Sequence, residues 1–294
     1  MVKKAVPKQR KKKPRTFVIG DIHGAHIPLQ QCIDRCSFDY ENDKLITLGD
    51  ICDGWPYVYE CVDILIKIPE WNRIDIIGNH DEWFRYWLIN GYHPDNWKQG
   101  GQGTMDSYVR AYNKLHNNYL PPQDEDDIIP YWQYIGFNHN WIPDKHKEFF
   151  YNQRLYYKDQ NYRLFVHGGF DKTLTLKEQE RIKDYIFYWD RDLWKQAQST
   201  GGKDKLRFIE NFKEIYIGHT ATTAITRYSL LEGGHILLPN GSLECPPKKA
   251  DIVYNLDTGA GSHGRLTIMD IETHKFWQSD PVNDIYGEYN PRSA

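Results

Sequence analysis

Five short apolar runs in this chain each stop at a glycine or histidine, and each hands over a residue able to bind a metal. They are Thr16–Gly20 before Asp21 and His23, Leu45–Gly49 before Asp50, and Ile74–Gly78 before Asn79 and His80. Further on come Arg163–Val166 before His167, and Glu214–Gly218 before His219. Short runs rich in Val, Ile, Leu and Phe fit buried strands, and glycine permits a tight exit from each. In open α/β sheets, ligands lie outside the carboxyl ends of the strands. Five strand ends therefore converge on one place and bring Asp21, His23, Asp50, Asn79, His80, His167 and His219 with them.

Carboxylate and amide oxygens with imidazole nitrogens, and no thiolate, suit Mn, Fe or Zn rather than a structural cysteine–zinc site. Two such ions roughly 3.5–4 Å apart form the clamp used for in-line displacement at phosphorus. Taken singly, each piece is an ordinary turn: Asn, Asp and Gly all favour turns. Five pieces in order, each after a strand-like run, make the two-metal site the better reading.

The set Gly20-Asp21-Ile22-His23-Gly24, Gly49-Asp50-Ile51-Cys52-Asp53-Gly54, Gly78-Asn79-His80-Asp81, His167-Gly168-Gly169 and Gly218-His219-Thr220 resembles the phosphoprotein phosphatase branch of the calcineurin-like metallophosphoesterases. Tyr188-Trp189-Asp190-Arg191-Asp192 and Leu256-Asp257-Thr258-Gly259-Ala260 resemble segments of its smaller members, such as the bacteriophage lambda protein phosphatase. The resemblance runs from about residue 16 to 275.

The resemblance implies a four-layer α/β/β/α sandwich; periodicity alone gives only α/β. It implies that Asp21 and His23 bind one metal, that Asp50 bridges, and that Asn79, His167 and His219 complete the second. A metal-bridging hydroxide would attack phosphorus, since bound metals lower the pKa of water. His80 would protonate the leaving oxygen, held in orientation by Asp53. Arg191, with Asn79, would grip the phosphate, Arg191 through its planar guanidinium. The cofactors implied are two divalent ions, Mn first, with Fe or Zn as alternatives.

One position departs from the family pattern. Where that pattern has Asp-Arg-Gly, this chain has Asp53-Gly54-Trp55, so a second phosphate-binding Arg is missing. Loss of a bidentate fork weakens charge-assisted phosphate binding. Arg85 and Arg110 are candidates to replace it. Trp55 either faces the mouth, where it could stack on a base, or packs against the neighbouring helix, which is the plainer reading.

At 294 residues and 40% hydrophobic content, the chain can build one large core. A net charge of −3 gives no global attraction to nucleic acid. No apolar run nears the roughly 18 residues needed to span a membrane, nor does one serve as a signal segment. The five cysteines are odd in number and form no CxxC pair, so reduced thiols in a cytoplasmic protein are expected. Residues 1–15 form a basic tail expected to be solvated and disordered, able at most to make weak contact with nucleic acid.

The domain expected over 16–294 begins with βαβ units. Leu29, Cys32, Ile33 and Cys36 share one helical face, as do Val58, Val62, Leu65 and Ile66. A third helix opens at Asp81 and carries Trp83, Phe84, Trp87 and Leu88. A loop is expected over 91–103, and a helical cap insertion over about 105–150. Late strands are expected at Ile225–Leu231, Ile236–Leu238, Ile252–Leu256 and Leu266–Ile271, with a hairpin signal at Asn240-Gly241.

The leading function is a Ser/Thr-type phosphomonoesterase acting on a phosphorylated substrate, a phosphoprotein or nucleotide. The alternative is a nucleotide or dinucleoside polyphosphate hydrolase, towards which Asp81 after Asn79-His80 points. A second class, an inactive scaffold, should have lost ligands, and none is lost here.

Overall fold

A computed structural model describes residues 13–91, 97, 99–116, 138–200, 206–222 and 245–287. The five apolar runs form β1 (Thr16–Ile19), β2 (Lys44–Thr47), β3 (Arg73–Asp75), β5 (Arg163–Val166) and β6 (Glu214–Ile217). Around them lie β4 (Tyr156–Lys158), β7 (Lys248–Ala250), β8 (Val253–Asn255), β9 (Thr267–Asp270) and β10 (Phe276–Gln278).

These strands make two five-stranded mixed sheets, ordered β10-β9-β1-β2-β3 and β4-β5-β6-β8-β7. Each has a parallel trio: β1-β2-β3 runs to one edge of the first sheet, with antiparallel β9 and β10 on its other side, and β5-β6-β8 lies at the centre of the second, flanked by antiparallel β4 and β7. Parallel strands buried on both faces should be apolar throughout, and β5 and β6 are buried at every position.

Alternation along each strand assigns the layers. Val18, Ile46, Phe165, Tyr216, Tyr254 and Met269 meet in one cluster between the sheets. Their strand neighbours Phe17, Ile19, Leu45 and Ile268 face a second cluster, under a helical layer. Leu164, Val166, Ile215, Ile217 and Val253 face a third. The result is the four-layer α/β/β/α sandwich.

The first helical layer holds α1 (His26–Arg35), α2 (Val58–Leu65), α3 (Asn79–Asn90), α4 (Gly101–His116) and α5 (Asp144–Tyr151). Leu29, Cys32 and Ile33 are the buried face of α1, and Val58, Val62 and Leu65 lie on that of α2. The second layer holds α6 (Leu176–Lys183), α7 (Ile186–Trp189) and α8 (Asp192–Ser199); α9 (Val282–Tyr286) follows the last strand.

The loop expected over 91–103 ends earlier, because α4 starts at Gly101, whose N–H donates to the carbonyl of Trp97. Met105, Tyr108, Phe149 and Phe150 join the cluster under α1–α3, so the described parts of 105–150 belong to that helical layer. Residues 117–137 lie outside the described residues, as do most of the basic tail and the strands expected at Ile225–Leu231 and Ile236–Leu238. All five cysteines are free and buried. Among the described residues, no helix is long and apolar enough to cross a membrane.

Candidate metal centre

The carboxyl ends of β1, β2 and β3 in one sheet and of β5 and β6 in the other open onto a common point. Asp21, His23, Asp50, Asn79, His80, His167 and His219 are all buried there. Two strand-end glycines make the convergence possible. A Cβ on Gly78 would overlap Asp50 Oδ1, and one on Gly218 would overlap Asp21 Oδ1. Four non-glycine residues of the site, His23, Asp50, Asp53 and His219, hold φ values of 50°, 50°, 62° and 65°. Such left-handed backbone costs roughly 1–3 kcal/mol per residue and clusters at functional sites.

Two overlapping groups have ligand atoms within 4.8 Å of one another: His23–Asp50–His80 and Asp50–His167–His219. Asp50 belongs to both, the position of a bridging ligand. Its Oδ2 lies 3.5 Å from His23 Nε2 and 3.3 Å from His167 Nε2. Asn79 Oδ1 is 3.2 Å from the same His167 Nε2. Asp21 Oδ2 accepts the backbone N–H of His219 at 2.9 Å, and Asp50 Oδ1 accepts that of His80 at 3.0 Å.

The residues fit divalent metals on three counts. Asp21 Oδ1 and His219 Nε2 are buried and have no hydrogen-bond partner among the described residues; buried polar atoms are seldom left so. His167 Nδ1 lies 2.7 Å from the Leu48 carbonyl, and His23 Nδ1 lies 2.7 Å from that of Asp53. A carbonyl can only accept, so each Nδ1 carries a proton, which leaves each Nε2 as the nitrogen a dication would take. Finally, the donors are oxygen and imidazole nitrogen, as hard-to-borderline dications require.

The electrostatics agree. Burial and Asp257 push the Asp21 carboxyl well above its usual range. Burial also acts to raise Asp50, but His167, His80 and His23 outweigh it and hold Asp50 well below. Burial and the neighbouring His167 and Arg191 drop His219 to about 2, so its imidazole is neutral and ready to ligate. Burial opposes charge on His167, yet Asp50 and Asp21 lift it to about 9. Crowded buried carboxylates of this kind are stabilised by a dication, which displaces such protons.

His80 belongs to the first of the two ligand groups. Its Nδ1 lies 3.0 Å from Asp53 Oδ2, so the paired residues expected from the sequence are brought together. Asp53 has further partners that the sequence did not single out. Trp97 Nε1 donates to both carboxylate oxygens at 2.9 Å, and Thr104 Oγ1 donates to Oδ1 at 2.6 Å. Asp81 does more than open α3. Its Oδ1 accepts the N–H groups of Ile51 and Cys52, and its Oδ2 accepts Gly78 N–H and Gln153 Nε2. It thereby ties the Asp50 loop to the start of α3. An acidic residue in the first turn of α3, whose side chain returns to the N-cap N–H, was the available signal.

Arg191 reaches the site: its Nη1 donates to the His219 carbonyl at 2.7 Å and to Thr220 Oγ1 at 3.0 Å. The two candidates for a second clamp are engaged elsewhere. Arg85 pairs with Glu82, and Arg110 with Glu60 and the Pro56 carbonyl. Trp55 is buried, donates from Nε1 to the Ala260 carbonyl at 2.8 Å and stacks on Tyr286, so it takes the packing role. Gly54 has φ +142°, and a Cβ there would lie 2.8 Å from the His23 carbonyl oxygen. An arginine at 54 has no place in this backbone.

The calcineurin-like phosphoesterase family model matches residues 14–254. A "bis(5'-nucleosyl)-tetraphosphatase, symmetrical" of Pseudomonas fluorescens (strain SBW25) is 32% identical, over 88% of this chain and 92% of its own length. A protein of the same name from Coxiella burnetii (strain RSA 331) is 34% identical, over 68% of this chain and 62% of its own. A crystal structure provisionally assigned as a diadenosine tetraphosphatase shares the fold, with TM-score 0.50 and 13% identity over 93% of this chain and 96% of that one. These relatives lend no support to a special likeness to the lambda phosphatase. The matched span takes in β1 through β7, the first two residues of β8 and all the loops that carry the candidate ligands, and the chain belongs to the calcineurin-like phosphoesterase family.

Proposed function

We propose that this metallophosphoesterase hydrolyses dinucleoside polyphosphates, with bis(5′-nucleosyl) tetraphosphates cut into two nucleoside diphosphates. The observation that carries the reading is the similarity, along nearly the whole chain, to enzymes named for that reaction. Gly54 supports it, since the arginine missing there belongs to the phosphoprotein phosphatase pattern and its backbone excludes a side chain. The Ser/Thr-type phosphomonoesterase expectation therefore gives way to its alternative.

In this reading Asp21, His23, Asp50, Asn79, His167 and His219 hold two divalent ions, Mn foremost, with Asp50 shared between them. The ions, when bound, supply Lewis-acid stabilisation and an activated water. Arg191 and Asn79 orient the phosphate oxygens. His80, oriented through Nδ1 by Asp53, presents Nε2 to the leaving oxygen and gives it a proton. The leaving group is a nucleoside diphosphate, less basic than the alkoxide of a serine ester, so it asks less of that acid.

The test is a Mn-supplemented assay of the full chain on bis(5′-adenosyl) tetraphosphate, ATP and phosphopeptides, with nucleotides separated by anion exchange. ADP as the sole nucleotide product is expected. Turnover of phosphopeptides with the dinucleotide untouched would restore the phosphomonoesterase reading. Products in the form of ATP plus AMP would refute symmetrical cleavage. No turnover at all would favour the scaffold.

A further inference from the structure

The mouth of the metal centre carries a ladder of aromatic rings. The His80 imidazole meets the Trp83 indole edge-on at 4.8 Å between centroids. Trp83 meets Trp189 at 5.4 Å, and Trp189 meets the His219 imidazole edge-on at 6.0 Å. Trp83 is nearly buried, but Trp189 is 41% exposed. An indole left in water beside a charged cleft forgoes the burial that usually stabilises it. The backbone that carries it is anchored. The Trp189 N–H donates to the Tyr185 carbonyl at 3.1 Å, and the N–H of Gly168, next to His167, donates to the Phe187 carbonyl at 2.8 Å. The turn that presents His167 thus also ties down the segment that carries Trp189. Two residues on, Arg191 is anchored through Nη1 on His219 and Thr220.

We infer that Trp189, braced from behind by Trp83, is the platform on which a nucleobase of the substrate stacks while Arg191 holds its phosphates. This rests on the dinucleoside polyphosphate reading. A phosphate and a ribose separate the attacked phosphorus from the base, which gives the chain enough reach to fold back on the rim. Every base has a π-face, so such a platform selects for nucleotides over phosphopeptides without choosing among bases. Trp189 is then a specificity residue and takes no part in proton transfer or metal binding.

The experiment compares wild type, Trp189→Ala and Trp189→Phe for KM and kcat on bis(5′-adenosyl) tetraphosphate. Inhibition by ADP and by inorganic pyrophosphate is measured alongside, as is bound Mn. Trp189→Ala should raise KM and the ADP inhibition constant roughly 5- to 100-fold, the value of one stacked base. Pyrophosphate inhibition should weaken much less, Mn content should hold, and Trp189→Phe should recover most of the loss. Equal weakening of ADP and pyrophosphate, or no change in either, would overturn the platform. If wild type cleaves no dinucleotide, the proposed function fails, and the same inhibitor pair is read against hydrolysis of p-nitrophenyl phosphate. Selective loss of ADP inhibition there would still support the platform, and its absence would remove it.

Discussion

Thr104 Oγ1 donates to Asp53 Oδ1 at 2.6 Å and accepts the Asp53 backbone N–H at 2.9 Å, so one hydroxyl holds both the side chain and the backbone of the residue whose carboxylate meets His80. His80→Asn should lower kcat roughly 10²- to 10⁴-fold on an alkyl phosphate ester, the usual value of a positioned acid. The loss should shrink on bis(5′-adenosyl) tetraphosphate and on p-nitrophenyl phosphate, whose leaving groups need less protonation. Thr104→Val and Trp97→Phe should show the same dependence on leaving group at smaller size. Losses equal across all three substrates would show that His80 serves some other purpose.

Chelation bears on stability as well as activity, because ions that bind only the folded chain stabilise it by mass action. Elemental analysis after Mn loading should find two ions per chain. EDTA should lower Tm, and Mn should restore it. Asp50→Asn should abolish most activity and reduce bound Mn, since Asp50 stands in both ligand groups. One ion or fewer at saturating Mn would count against a dinuclear centre.

Replacing Gly54 tests the meaning of the missing arginine. At φ +142° any side chain is strained, and its Cβ would press on the His23 carbonyl. Gly54→Ala should destabilise the fold by about 1–3 kcal/mol. Gly54→Arg should lose Mn and activity together. A stable Gly54→Arg protein with improved phosphopeptide KM would show that the loop can reopen for a second clamp.

Asp81 makes a structural prediction. Asp81→Ala would leave the N–H groups of Ile51, Cys52 and Gly78 without their acceptor in a buried place. Each buried orphan donor costs about 1–3 kcal/mol, so urea denaturation should record a loss of about 3 kcal/mol or more. Calorimetry should record weaker Mn binding as the Asp50 loop slackens. Unchanged stability would mean that water replaces the carboxylate.

His146 sets a pH dependence. It is buried between Tyr108 Oη and Asp63 Oδ1, each 3.1 Å away, with its ring against Tyr59. Burial lowers its pKa, and Asp63 offsets this only in part. Between the folded value and about 6.5, the unfolded chain therefore binds the extra proton. Stability from the neutral ring is present above about pH 6.5 and lost as pH falls below it, at no more than about 1.4 kcal/mol per pH unit. His146→Gln should flatten unfolding free energy between pH 5 and 7 relative to wild type. Parallel slopes would acquit His146.

The core strands, and the gathering of Asp21, His23, Asp50, Asn79, His167 and His219 at their ends, were legible because each of these residues follows its strand within a few positions, a purely local pattern. Three of the four edge strands were not: β4, β7 and β10 are half-exposed and show no apolar alternation. Trp97 and Thr104 reach Asp53 from 44 and 51 residues away, through packing that no local motif encodes. Gly54 read as a lost clamp because sequence shows which residue stands there, while the positive φ appears only in the folded loop. Trp189 was noted only for its neighbour Arg191, since exposure beside His219 is a tertiary property.

The candidate metal ligands are divided between the two sheets. Asp21, His23, Asp50 and Asn79 follow strands of one, and His167 and His219 follow strands of the other. Phe165, Tyr216 and Tyr254 form a row of stacked rings between those sheets, at 4.9 and 5.1 Å. That row acts as a spacer gauge. Thinning it with a smaller side chain would let the sheets slide or close and would change the spacing between the two sets of candidate ligands without touching either set. Tuning of the reaction can therefore be inherited through the interior, at positions where no inspection of the cleft would look for it.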